Sequence, residues 1–166
     1  MLYKTILWFV IIAIFTPLSA QPQFSDFRVN FNADEYLLDA PDIEILNKVI
    51  DEAKAGGYYE ITLSAHTDND GSDNYNLILS NKRAMAVRNY LVTNGLIANV
   101  MDIDWYGERK PETTNAAPEG KSVNRRVVVT LKKYTLDDVQ DVLKISGGDY
   151  TQTFTFNSAI DNKITA

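Results

Sequence analysis

Hydrophobic and polar residues follow two patterns along the chain, one typical of strands and one typical of helices. The segment DFRVNFN, after a short spacer over residues 21–25, alternates apolar with polar residues, which predicts a first strand. The next segment has apolar residues on one helical face, a cap at Asp39 or Ala40, Pro41 in the first turn and a Gly-Gly stop. These signals predict a helix between the cap and the two glycines.

Two more strands and a helix follow before the last strand. YYEITLSAH alternates as a strand does and ends at His66, before the turn-forming segment NDGSD. A helix is predicted from roughly Asp73 to Thr93, with one apolar stripe expected to be buried: Leu77, Ala84, Val87 and Leu91. VMDIDWYG and NRRVVVTLK predict two further strands, separated by the long polar loop ERKPETTNAAPEGKSV. This order predicts an α/β sandwich with helices packed on a mixed four-stranded sheet.

The two ends of the chain carry different signals. Residues 1–20 hold a single lysine, an apolar run, and then proline and small residues up to Ala20, which is the layout of a secretory signal peptide. The apolar run is about half as long as the roughly 20 residues of a membrane-spanning helix, so an uncleaved anchor is the less favoured alternative. Residues 134–166 predict a short helix and a strand-like tail, or the start of a further region.

Composition excludes several classes of function. The chain has 166 residues and no cysteine, which removes disulfides, thiol catalysis, cysteine-ligated zinc and lipid attachment through an N-terminal cysteine. A formal net charge of −6 gives no support for nucleic-acid binding. The charge is uneven, because residues 107–133 carry seven basic side chains against three acidic ones. One exported domain with a locally basic segment is therefore expected.

The segment HTDNDGSDNYNLILSNKRA concentrates polar and charged residues between a strand and a helix. Its aspartates do not fit a calcium loop, because counting from Asp68 places the glycine two positions early at Gly71 and Leu79 at the twelfth position. One histidine without cysteine does not make a zinc site, so His66 is interpreted as structural. No nucleophile–base pair is present, and neither an enzyme nor a cofactor is predicted.

The predicted helix instead favours a binding site. Asn76, Ser80 and Arg83 are separated by four and seven positions and fall within a sector of roughly 40° on one helical face. This polar stripe is expected to lie apart from the apolar stripe and to lean toward Asp68 in the preceding loop. Such an Asp–Arg pair is either a simple salt bridge or a fixed anion and a bidentate cation that match a zwitterion. The second interpretation predicts an amino-acid-like ligand.

Two longer segments, HTDNDGSDNYNLILSNKRAMAVRNYL and YGERKPETTNAAPEGKSVNRRV, resemble the OmpA-like peptidoglycan-binding domain. They match its pattern H-T-D, Y-N-x-x-L-S-x-x-R-A, G-E-x-x-P, E-G and N-R-R-V in order. The resemblance assigns residues 26–133 to that domain and implies a βαβαββ fold. It also implies non-catalytic binding of the diaminopimelate residue of the peptidoglycan stem peptide, in the periplasm or on the periplasmic face of the outer membrane of a diderm bacterium.

The resemblance also implies roles for individual residues. The aspartate of H-T-D is Asp68, which would bind the diaminopimelate ammonium, and the arginine of R-A is Arg83, which would bind its carboxylate. Asn76 would support the ligand or the loop. Thr67 and Arg126 are the weaker members of the implied ligand set.

The end of the first strand departs from the family pattern. Phe31 and Asn32 would line the pocket, but Asn30 and Asn32 stand where acidic residues are common. The alternative hypothesis is therefore an envelope assembly module that docks on another protein, such as an outer-membrane protein, with a degenerate ligand pocket. Asn124 and Arg125 are interpreted mainly as loop-fixing and strand-surface residues.

Overall fold

The structure is a computed structural model that describes residues 22–134. The predicted signal peptide and the predicted helix and strand-like tail after Tyr134 lie outside the described residues.

The four strands and the two long helices follow one another in the predicted order, and a third, short helix that was not predicted precedes the last strand. The elements are β1 (Gln23–Asn30), α1 (Ala40–Lys54), β2 (Tyr58–His66), α2 (Asp73–Thr93), β3 (Met101–Gly107), α3 (Pro118–Asn124) and β4 (Arg126–Tyr134), with a 3-10 turn at Ala98–Val100. Strand β1 begins within the segment expected to be a spacer. It also ends at Asn30, one residue before Phe31, which the alternation had included in the strand.

The four strands form one mixed sheet in the order β1-β4-β2-β3, which confirms the predicted architecture. Strand β4 lies antiparallel to both β1 and β2, whereas β2 and β3 are parallel. A parallel pair requires a crossover connection, and α2 provides it.

Helix α1 has the caps that the sequence predicts. Asp39 is the N-cap: its side chain accepts a hydrogen bond from the Asp42 amide, and the Asp42 side chain accepts one from the Asp39 amide, both at 3.0 Å. This reciprocal arrangement satisfies two amides that the first turn would otherwise leave unpaired. The predicted apolar face packs on the sheet as part of a buried core: Val29, Leu46, Val49, Ala53, Ile61, Leu63, Val87, Leu91, Val127, Val129 and Leu131.

The buried face of α2 differs from the prediction. The expected polar and apolar stripes form one continuous buried face: Asn76, Leu79, Ser80, Arg83, Ala84, Val87 and Leu91. These positions recur every three or four residues, as one face of a helix requires. Leu77 lies at the edge of this face and is only partly buried, so the prediction that it belongs to the core was wrong. Three of the first four members of the buried face, Asn76, Ser80 and Arg83, are polar, and they form hydrogen bonds with main-chain groups at the end of the sheet.

The predicted polar loop before β4 contains the short helix α3. Pro118 starts this helix, and Asn124 ends it. The buried Asn124 side chain accepts hydrogen bonds from the amides of Glu112 and Thr113 and donates to the Thr113 carbonyl and to Asn115. The loop-fixing role expected of Asn124 is therefore confirmed.

Candidate functional site

Three connections meet at one end of the sheet because of the strand pairing. Asn30 at the end of β1 pairs with Arg126 at the start of β4. Ala65 near the end of β2 pairs with Val127 on the same strand. The β1–α1 connection, the loop after β2 and the α3–β4 junction therefore converge at this end.

Asp68 lies in the loop after β2 and is buried, with 5% of its surface exposed. Its Oδ2 atom is 2.8 Å from Nη1 of Arg125, and its Oδ1 atom accepts a hydrogen bond from the Asp70 amide at 3.2 Å. Arg125 also donates from Nε to the Phe31 carbonyl at 3.0 Å. A carboxylate oxygen has two lone pairs, so Asp68 keeps capacity to accept a hydrogen bond from a ligand.

Arg83 is fully buried and contacts three main-chain carbonyls. Its Nε atom donates to Glu35 at 2.8 Å, Nη1 to His66 at 3.0 Å and Nη2 to Asn32 at 2.9 Å. The guanidinium lies 5.0 Å from the centre of the Phe31 ring, in cation–π contact. Arg83 thus connects the β1–α1 connection, the end of β2 and α2. One N–H on each of Nη1 and Nη2 has no partner among residues 22–134.

The pKa of Arg83 is set by its burial and by the charges of neighbouring side chains. Burial lowers this pKa from 12.5 to about 10, the Asp68 carboxylate opposes that change, and the Arg125 guanidinium adds to it. Arg83 therefore remains cationic at neutral pH. It also lies close enough to both Asp68 and Arg125 to interact with their charges.

Two further members of the implied ligand set are buried with unpaired atoms. Asn76 donates from Nδ2 to the Asp68 carbonyl at 3.3 Å and to Glu108 at 2.5 Å, but its Oδ1 atom has no partner within residues 22–134. The hydroxyl of Thr67 is buried and also lacks a partner within that range. A buried polar atom without a partner costs about 1–3 kcal/mol, so both atoms are available to a ligand or to water.

Phe31 and Asn32 line a cavity with a volume of about 660 Å³. Arg125 lines it as well, so the cavity reaches the partner of Asp68. The Phe31 amide donates to the Arg125 carbonyl at 2.9 Å, and the exposed Asn32 side chain donates to Glu35 at 2.9 Å. The cavity thus gives the Arg125 side of the ion pair an approach from solvent.

Arg126 and His66 form a separate cluster. Arg126 Nε is 3.0 Å from Oε2 of Glu112, without the alignment of a hydrogen bond, and its Nη1 contacts the Asn124 carbonyl at 3.4 Å. The buried His66 ring stacks on Tyr106 at 5.2 Å, as expected of a structural histidine. Burial, assisted by the charge of Arg126, lowers the pKa of His66 from 6.5 to about 4, so the ring is neutral at neutral pH.

The structure brings Asp68 together with Arg125, which sequence reasoning had interpreted as a strand-surface residue. That interpretation was wrong, because the Arg125 side chain forms an ion pair with Asp68. Arg125 lies at the junction of α3 and β4 and pairs with Asp68, whereas Arg126, the first residue of β4, lies beside Glu112. The sequence signal for this contact was the N-R-R-V segment. It offers two adjacent arginines, of which one pairs with Asp68 in the loop after β2.

The clustered aspartates of this loop are engaged with separate cations. Asp68, Asp70 and Asp73 pair with Arg125, Lys121 and Arg109, respectively. Within the part of the chain that the structure describes, no group of three or more acidic or histidine side chains is placed to hold a metal ion. Nor does any helix in residues 22–134 have the length and apolar character needed to cross a bilayer.

Comparison with known proteins identifies the domain. The model of the OmpA family matches residues 30–125, which is more than half of the chain. The chain belongs to the OmpA family. The resemblance seen in the sequence motifs is thereby confirmed.

Relatives in this family include proteins named for peptidoglycan. The Peptidoglycan-binding protein ArfA of Mycobacterium tuberculosis is 38% identical over 103 residues, covering 62% of this chain and 32% of ArfA. The chain thus spans about a third of the length of this relative. The Peptidoglycan-associated lipoprotein of Brucella melitensis is 34% identical over 122 residues, covering 70% of each protein.

Solved structures show the same fold. The peptidoglycan-associated lipoprotein from Burkholderia pseudomallei superposes with a TM-score of 0.60 at 28% identity, covering 63% of this chain and 89% of that one. The C-terminal domain of Helicobacter pylori MotB gives a TM-score of 0.57 at 19% identity, over 74% of this chain and 94% of that one, which supports the fold alone.

Proposed function

We propose that this OmpA-family domain binds cell-wall peptidoglycan in the bacterial envelope, on the periplasmic side, without breaking a bond. The ligand group is the zwitterionic end of the diaminopimelate residue in the stem peptide. The observation that carries the proposal is the buried Asp68 carboxylate, which is placed beside Arg125 and within electrostatic range of Arg83. The relatives named as peptidoglycan-binding and peptidoglycan-associated proteins support the same function.

The charges of these three side chains match a zwitterion. Asp68 has free acceptor capacity for an ammonium group. The guanidinium groups of Arg83 and Arg125 repel one another, and a buried carboxylate, that of Asp68, lies near both of them. The exposed Asp34 carboxylate stabilises the charge of Arg83 only weakly. A ligand carboxylate placed between the two arginines would reduce their repulsion and form charge-assisted hydrogen bonds. The proposed clamp therefore uses Arg125 in addition to the Asp68–Arg83 pair.

Access to Arg83 requires a local movement. Its guanidinium is fully buried, and two of its three carbonyl partners belong to the exposed segment Asn32–Glu35. A ligand carboxylate would displace this segment to reach the two unused N–H groups. Arg125 is reached without that movement, because it lines the cavity. We propose that the carboxylate contacts Arg125 first and Arg83 after the segment opens.

The buried unpaired atoms near Asp68 support a polar ligand. The Thr67 hydroxyl lies in the same loop as Asp68. The Asn76 Oδ1 atom lies on the first turn of α2, which supports that loop. Hydrogen bonds to a stem peptide would satisfy both atoms. We assign them supporting roles, and we assign no direct contact to Arg126, which pairs with Glu112 instead.

Co-sedimentation with purified sacculi tests the proposal. Asp68→Asn keeps the shape of the side chain and removes its charge, and Arg125→Gln removes the adjacent cation. Both variants should pellet with sacculi much less than the parent protein. Asp73→Asn is the matched control, because Asp73 lies in the same region but forms an exposed ion pair with Arg109.

The result that would contradict the proposal is equal pelleting of the parent, Asp68→Asn and Arg125→Gln, each shown to be folded by circular dichroism. Retained binding of an envelope protein by all three would then favour the alternative function, an assembly module with a degenerate pocket.

A further inference from the structure

A second, smaller groove lies between α2 and the edge strand β3. It has a volume of about 210 Å³, and the residues that line it are Leu77, Ile78, Asn81, Lys82 and Trp105. We call it the Trp105 groove. Trp105 has 46% of its surface exposed and Ile78 has 50%, so an aromatic and an aliphatic side chain both face solvent here.

The groove combines an apolar platform with hydrogen-bonding groups. An indole ring offers a flat apolar face with partial negative charge, which attracts the weakly positive C–H groups of a ring stacked on it. Asn81 can donate and accept hydrogen bonds, and Lys82 can donate three. Neither side chain has a hydrogen-bond or ion-pair partner in the structure of residues 22–134, although Lys82 lies 5.1 Å from the centre of the Tyr36 ring. Small-molecule sites have this composition of apolar walls with a few polar groups.

We propose that the Trp105 groove binds one N-acetylated sugar of a polysaccharide. A sugar ring has a C–H face that stacks on indole, hydroxyl groups that pair with Asn81 and Lys82, and an acetyl methyl group that packs on Ile78. The small volume suits a single ring. A zwitterionic peptide would leave its ammonium group unpaired on this platform, because Lys82 is the one charged residue that lines the groove and it can pair only with an anion.

The position of the groove suits the proposed function, on which this inference rests. Trp105 pairs in the sheet with Ala65, three residues before Asp68. Lys82 precedes Arg83 on α2, so the same helix contributes to both sites. In peptidoglycan the stem peptide is attached to the glycan, and simultaneous contact of peptide and sugar would raise affinity through effective concentration.

Tryptophan fluorescence provides a direct test. The chain has two tryptophans, Trp8 and Trp105, so a full-length Trp8→Phe protein reports on Trp105 alone. Titration with N-acetylglucosamine oligomers, which carry no peptide, should shift and saturate its emission. Asp68→Asn should leave this titration unchanged. An absence of any saturable change would overturn the proposal.

Co-sedimentation with sacculi separates the two sites. Trp105→Ala should weaken binding to sacculi by about three- to tenfold, and Trp105→Phe should recover part of the loss because it keeps an aromatic face. If Trp105→Ala binds as the parent does while Asp68→Asn does not, the glycan site is refuted and the proposed function stands. If both bind as the parent does, both proposals fail.

The competing occupant is another protein on the same apolar surface. Sedimentation equilibrium of the parent and of Trp105→Ala measures whether the groove joins two copies of this chain. Self-association that Trp105→Ala abolishes, combined with no response to the oligosaccharide, would replace the sugar site with a protein interface.

Discussion

Acidification should destabilise the domain through His66. The ring is buried against Tyr106, and burial is the main reason that its pKa falls from 6.5 to about 4. The unfolded chain keeps the ordinary pKa. As the pH falls below about 6.5, the unfolded state therefore binds a proton that the folded state does not, and stability decreases until the pH reaches about 4.

The size of the effect follows from the two pKa values. Their difference, at about 1.36 kcal/mol per pH unit, sets an upper limit of about 3 kcal/mol for the total loss. Between about pH 7.5 and about pH 5 the expected loss is about 2 kcal/mol, which lowers the Tm of a domain of this size by about 8 °C.

Urea unfolding of the parent and of His66→Phe at these two pH values measures how much stability is lost through His66. The phenylalanine ring retains the stack on Tyr106 but cannot titrate, so carboxylates that respond to acid affect both proteins alike. The parent should lose about 2 kcal/mol more than the variant. An equal loss in the two proteins would refute the argument that His66 is neutral because it is buried.

Three substitutions test how the fold holds the site. Arg83→Met should reduce the free energy of unfolding by about 3–5 kcal/mol, because it leaves three main-chain carbonyls without their donor; a loss below about 1 kcal/mol in urea would contradict this staple role. Asp39→Ala removes the N-cap of α1 and should cost about 1 kcal/mol, seen as a lower urea midpoint, whereas an unchanged midpoint would exclude a stabilising cap. Asn124→Ala should weaken sacculus binding as well as stability, because Asn124 orders the loop before Arg125; full binding by a folded variant would show that the loop does not position the site.

Local signals predicted the helices and strands because those signals act within a few residues. The N-cap of α1 needs only Asp39 and Asp42. The helix ends at Lys54, shortly before two glycines with positive φ, so its end is also set locally. The strand alternation likewise located β2. The short helix α3 was missed because most of its residues are polar, and its order depends on hydrogen bonds between Asn124 and a loop about ten residues earlier.

The candidate site was only partly predictable for a related reason. Sequence spacing placed Asn76, Ser80 and Arg83 on one helical face, which the structure confirms. It did not show that this face is buried, nor that Arg83 donates to three carbonyls from distant segments. The pairing of Asp68 with Arg125 joins residues 57 positions apart, and only the strand register of β4 against β1 and β2 brings them together.

The most direct test of the proposed function is an NMR titration of the full-length protein with free diaminopimelate. Saturable shifts at millimolar ligand should be concentrated at the amides of Asp68, Asp70 and Arg125, and Asp68→Asn should abolish them. The absence of shifts in the parent protein, or shifts that persist unchanged in Asp68→Asn, would contradict a zwitterion clamp centred on Asp68.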